Sequence, residues 1–139
     1  MFYVFYVYGK CGERMGDPPT LDSQTLRSLR ELGGDSPDAL IAELFGLFCS
    51  TLDSQLQALD KAISTVSMDG VAAAAHAIKG SAASIGALEV ASICAQMESA
   101  ARAGVGNDLP ADLMRLQGAT ARLLGRMAEI KSESKGAGS

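Results

Sequence analysis

Ser36 to Ile63 reads SPDALIAELFGLFCSTLDSQLQALDKAI, and its spacing decides the fold. Leu40, Leu44, Phe48, Leu52, Leu56, Leu59 and Ile63 recur every three or four residues, the period of one helix face and not the alternation of a strand. Ser36 stands where a helix takes its N-cap, and Pro37 fits the first helical position, where a missing N–H costs nothing. The stripe predicts one long helix with a single core face.

The flanking segments repeat the pattern. A short helix is expected from about Leu21 to Leu32, with Leu26, Leu29 and Leu32 on one stripe and Gly33 and Gly34 closing it. After the long helix, Ser67 to Gly70 turns into a third that runs to about Ile85, and Gly86 supplies a left-handed residue at its end. A fourth is expected from about Leu88 to Ala103, packing Leu88, Ala91, Cys94, Met97 and Ala101. The loop Gly104 to Leu109 leads to Pro110, which begins a fifth carrying Leu113, Leu116, Leu123, Met127 and Ile130. Four long helices with short connections predict an all-α fold, an antiparallel up-down-up-down four-helix bundle with a short extra N-terminal helix.

Composition bounds the rest. The chain has 139 residues, 47% hydrophobic and 20% charged, which suits one folded soluble domain. Its 12 basic and 16 acidic side chains leave a net charge of −4, with no basic cluster to shadow a phosphate backbone, so no nucleic-acid partner is expected. Cys11, Cys49 and Cys94 are odd in number and widely spaced, and there is one histidine, so neither a disulfide framework nor a metal site is predicted. A reducing cytoplasm fits this cysteine usage. Residues 1–19 are compositionally foreign: MFYVFYVY holds five of the seven aromatic residues, yet is too short to span a bilayer and lacks the basic start of a secretory signal. They are read as a flexible or loosely attached leader, with Met15 as an alternative start, residues 20–131 as the bundle, and 132–139 as a disordered tail.

The one histidine lies on the third helix. At 100° per residue and His76 at zero, Ile85 falls at about 180°, Ala74 at about 160°, Ile78 at about 200° and Val71 at about 220°. The core is therefore expected opposite His76, leaving the imidazole in solvent among Ala72, Ala73, Lys79, Gly80, Ala83 and Ala87. Glycine costs about 1 kcal/mol relative to alanine inside a helix. Stability therefore does not select Gly80, whereas close approach of another protein to the ring does. Lys79, three residues on, brings an ammonium to the spot where a dianion would be attached. Neutral imidazole is nucleophilic near pH 7, and a phosphoramidate keeps a high transfer potential. The three residues describe a phosphoryl-accepting site.

The stretch Ala75 to Ala87, AHAIKGSAASIGA, resembles the signature of the histidine-containing phosphotransfer (HPt) domain, and the resemblance extends over about Leu21 to Arg126. Phe45 and Phe48 resemble positions of that family's long second helix, and Cys94, Met97 and Glu98 those of its fourth; Ile78 stands where Leu is common. The resemblance implies a helical bundle that takes a phosphoryl group on the histidine from a receiver-domain aspartate and passes it to another, and the chain is read as a cytoplasmic, monomeric phosphorelay intermediate. Response-regulator receiver domains and a hybrid sensor histidine kinase are the implied partners, with no membrane involved. His76 carries over as phosphoacceptor, Lys79 as the stabilising cation and Gly80 as docking clearance; the small residues Ala72, Ala73, Ala83 and Ala87 on the same projected face are read as partner surface. The sequence does not identify the residue that orients the second ring nitrogen of His76; the helical projection puts forward Ser84, at about 80°, as a weak candidate.

The chain has no Gly-rich nucleotide loop or kinase signature, and Asp69 stands alone two turns from His76, so no ATP, metal or other cofactor is expected on it. The catalytic aspartate and Mg²⁺ would belong to the partner receiver. Two rivals remain. One is a non-phosphorylated helical-bundle adaptor or inhibitor, against which the joint presence of His76, Lys79 and Gly80 argues. The other is an enzyme using His76 as a general base, which needs a pocket and a second catalytic group that the projected face does not offer. Cys94 reads as buried filler, and Glu98 with Arg102 as a surface pair four residues apart.

Overall fold

A computed structural model of the chain describes residues 18–105 and 108–138, with side chains described through Glu133. Among these the chain forms helices α1 (Ser23–Leu32), α2 (Pro37–Ser64), α3 (Met68–Ser84), α4 (Leu88–Arg102) and α5 (Leu109–Gly138), and no strand. Helices α2 to α5 pack in sequence order, and α5 closes against α2, giving the expected four-helix bundle with α1 laid on α2. The leader expected at 1–19 lies outside the described residues as far as 17. Pro19 and Thr20 are tied down: the Glu89 amide donates to Pro19 O (2.9 Å) and Thr20 Oγ1 lies 3.4 Å from Glu89 Oε1.

The helix ends follow local chemistry. Asp22 caps α1, accepting from the Thr25 amide at 3.0 Å, and Ser67 caps α3, accepting from the Gly70 amide at 3.2 Å. Ser36 occupies the N-cap of α2 but makes no capping hydrogen bond, so Pro37 alone marks that start. Helices α2, α3 and α4 all finish in a pair of reversed hydrogen bonds around a left-handed residue. At α3 the residue is Gly86 (φ 82°), with Ala87 N donating to Ala82 O and Gly86 N to Ala83 O. Glycine is required there twice over, because a Cβ would also lie 2.8 Å from Thr25 Cβ of α1. Gly104 (φ 75°) serves α4, and Val66 (φ 55°) serves α2.

The core differs from the projected stripes where a helix has more than one neighbour. In α2 the buried residues are Ile41, Phe45, Phe48, Leu52, Leu59 and Ala62, whereas Leu44, Leu56 and Ile63 are half-buried at its flank. Contact with α1, α3 and α5 widens the buried arc beyond one row. By length and composition α2 would also suffice to cross a membrane, but here it is a wall of the bundle, with Asp53, Asp60 and Lys61 in solvent. Leu32, expected on the stripe of α1, is 77% exposed, since the helix ends there and the chain turns away at Gly33. The five apolar residues expected of the last helix are all buried. That helix continues to Gly138, past the break expected at 132, and Arg126 reaches Glu129 (3.1 Å) and Glu133 (3.7 Å) along its surface.

Candidate functional site

His76 projects from the middle of α3 with its side chain 63% exposed. Gly80, Ala73 and Ala83 are exposed beside it, and a Cβ added at Gly80 would meet nothing within 4 Å. The same emptiness surrounds Gly46 and Gly125, so open space does not distinguish Gly80; its place one turn from the imidazole does. Two residues expected on this surface are elsewhere. Ala72 (7% exposed) and Ala87 (0%) belong to the core. The buried arc of α3 runs from Ile85 through Val71 and Ala75 to Ala72, roughly 180° to 320° from His76, because α2 and α4 flank it on two sides. Ala87 falls beyond the helix end at Ser84, where a 100° rotation no longer applies.

The tilt of that arc brings α4 up beside the His76–Lys79 edge and places Glu98 there. Glu98 Oε2 lies 3.1 Å from His76 Nδ1. Lys79 Nζ donates to Oε1 at 2.8 Å, and Arg102 donates to Oε2 through Nε (3.0 Å) and Nη2 (2.7 Å). The Glu98 side chain is only 9% exposed, so it is the buried hub of the cluster, while Lys79 (35%) and Arg102 (62%) reach it from solvent. Burial pushes the Glu98 carboxyl up, but the hydrogen bonds from Lys79 and Arg102, with the charges of Lys79 and His76, outweigh it and hold the group at about 2. Beneath the cluster, burial drives the Cys94 thiol up to about 12; the Lys79 ammonium opposes that rise and Glu98 adds to it. Cys94 is thus an inert core residue.

The ionised carboxylate settles the imidazole's proton. It can only accept, so in the neutral ring Nδ1 carries the hydrogen and Nε2 keeps its lone pair. With Nδ1 engaged and most of the ring exposed, Nε2 is the nitrogen free to act as nucleophile. One carboxylate between two cations also leaves this spot positive in a chain of net charge −4, a setting suited to a phosphoryl dianion.

The orienting residue was not Ser84, whose exposed hydroxyl donates to Ser81 O at 2.7 Å. Glu98 and Arg102 do pair four residues apart, yet Glu98 is buried and bonded across helices, not one half of a surface pair. The expectation that no second functional group would lie beside His76 is corrected by the same residue. The sequence did mark Glu98, through its resemblance to a position of the family's fourth helix and its place one residue from core Met97, where a carboxylate needs a cation to be buried, but neither signal says that it meets His76. Among the described residues no group of three or more His, Cys, Asp or Glu side chains is arranged to hold a metal ion.

Comparison with known proteins points to one family. The Hpt domain family model matches residues 43–131. Among solved structures, histidine-containing phosphotransfer protein B (HptB) from Pseudomonas aeruginosa PAO1 superposes with a TM-score of 0.74 at 24% identity, covering 83% of this chain and 96% of its own. The histidine-containing phosphotransfer protein MtHPt2 from Medicago truncatula gives a TM-score of 0.73 at 26% identity, over 97% of this chain and 92% of its own. No curated protein sequence matches the chain.

Proposed function

The chain belongs to the Hpt domain family, and on that premise we propose that His76 is the phosphoacceptor of a phosphorelay intermediate, taking its phosphoryl group from a receiver-domain aspartate and passing it to a second receiver. The observation that carries this reading is the hydrogen bond between His76 Nδ1 and the ionised Glu98 on an otherwise exposed ring. The Nε2 lone pair attacks the phosphorus of an aspartyl phosphate. As the N–P bond forms, the P–O bond to the aspartate breaks and returns its electron pair to that carboxylate. The ring, keeping its Nδ1 proton, gains positive charge, which the Glu98 anion stabilises as a carboxylate does for a catalytic histidine elsewhere. Transfer onward runs the same steps in reverse.

This chain's contribution is a positioned nucleophile, and the receiver would bring the aspartate and its Mg²⁺. Lys79 supplies positive charge for the phosphoryl oxygens, and Gly80, with exposed Ala73 and Ala83, leaves the receiver room to approach Nε2. The proposed partners are receiver domains and a hybrid sensor kinase, the proposed state a cytoplasmic monomer with no ATP or metal site of its own.

Incubation with phosphorylated receiver domains of the same organism tests the proposal. Acid-labile, base-stable label is expected on the wild type and none on His76→Gln. A wild type that takes no label from any receiver returns the chain to the adaptor reading, and label retained by His76→Gln moves the acceptor elsewhere.

A further inference from the structure

Lys79 has two calls on its one ammonium. In the unphosphorylated chain Nζ sits on Glu98 Oε1 at 2.8 Å, at the Nδ1 edge of the imidazole. A phosphoryl group would stand on Nε2, on the other side of the ring. An ammonium closing on those oxygens weakens or gives up its contact with Oε1. Glu98 cannot be left without a cation, because its side chain is 9% exposed and a buried carboxylate stripped of its partner is strongly disfavoured.

Arg102 removes the conflict. It lies one turn beyond Glu98 on the same helix, donates through both Nε and Nη2 to Oε2, the oxygen opposite the one Lys79 uses, and does not deprotonate at any working pH. It comes from α4, so it stays with Glu98 whatever the α3 side chains do. We propose that Arg102 is a positioning residue for the phosphorylated state: it is the standing counter-ion of Glu98, which frees Lys79 to leave the carboxylate and meet the phosphoryl group on His76. This rests on the assignment of His76 as phosphoacceptor.

The test is the half-life of the phosphorylated protein in four forms: wild type, Lys79→Ala, Arg102→Ala and the double variant, each loaded from a phosphorylated receiver and then separated from it. Losing one solvent-facing ion-pair partner shifts an equilibrium by up to about 1 kcal/mol, or about fivefold. Arg102→Ala is therefore expected to shorten the half-life by about that factor, because Lys79 stays pinned on Glu98. Lys79→Ala should shorten it in wild type and have little further effect in the Arg102→Ala background, and Arg102→Lys should restore most of the loss. A merely structural role would change melting temperature without this dependence of one variant on the other. Equal half-lives for wild type and Arg102→Ala, or the same factor for Lys79→Ala in both backgrounds, overturn the inference while labelled wild type leaves the acceptor assignment standing. A wild type that takes no label removes both.

Discussion

Glu98 Oε2 and His76 Nδ1 are 3.1 Å apart although 22 residues separate them in the chain. One contact between α3 and α4 fixes the neutral imidazole's tautomer, keeps its lone pair on the exposed nitrogen and places a negative charge where the ring would become positive in the proposed transfer. Glu98→Gln keeps the shape and loses the charge. Transfer from a phosphorylated receiver to His76 is expected to slow by about 10- to 100-fold, the equivalent of the roughly 1.5–3 kcal/mol of a hydrogen bond to a charged group. Rapid-quench kinetics would measure it, and an unchanged rate would remove Glu98 from the mechanism.

The same carboxylate makes stability depend on acid. Its group sits at about 2 in the folded chain against an ordinary 4.5, so between those values the unfolded chain binds more protons. Its contribution is complete above about pH 4.5 and is lost as pH falls toward 2. A shift of this size is worth on the order of 3 kcal/mol. Urea unfolding of wild type and Glu98→Gln from pH 7 to pH 2.5 should show a gap that closes with acidity; a constant gap would mean the charge is not what stabilises.

Gly80 separates stability from function. A Cβ there meets nothing within 4 Å, so Gly80→Ala should raise unfolding free energy by about 1 kcal/mol, the helix propensity difference. Gly80→Glu should leave circular dichroism unchanged and slow transfer by obstructing the receiver and adding a negative charge beside His76. Transfer rates unaffected by Gly80→Glu would refute the clearance argument.

Val66 carries a φ of 55° at the end of α2, a conformation that a β-branched residue adopts only under strain. Its side chain is 73% exposed and its backbone closes the helix, with Ser67 N donating to Ala62 O at 2.8 Å and Val66 N to Ile63 O at 3.1 Å. Val66→Gly should therefore stabilise the fold by about 1 kcal/mol, as the equivalent glycines do at α3 and α4. Thermal unfolding checks it, and a lowered melting temperature would contradict the strain.

Cysteine reactivity should divide by burial. Cys94, with its thiol raised to about 12, should resist alkylation in the native protein and react on unfolding, while exposed Cys49 reacts in both states. Mass mapping after iodoacetamide treatment would show it. Native labelling of Cys94 would mean that the floor of the site opens.

The helices, their order and the exposed histidine were legible in the sequence because each rests on local rules: the recurrence of Leu and Phe through α2, the glycine at 86, and the proline at 37. The AHAIKG stretch pointed to His76, Lys79 and Gly80 for the same reason, all three lying within two turns of one helix. Glu98 was not legible as their partner, since only the lateral packing of α4 on α3 decides which carboxylate meets the imidazole. That packing also tilted the buried arc of α3, taking Ala72 into the core, and the turn at Gly86 took Ala87 with it. Periodicity along a helix says which residues share a face; how far round that face is covered, and what reaches it from the next helix, depends on neighbours remote in sequence.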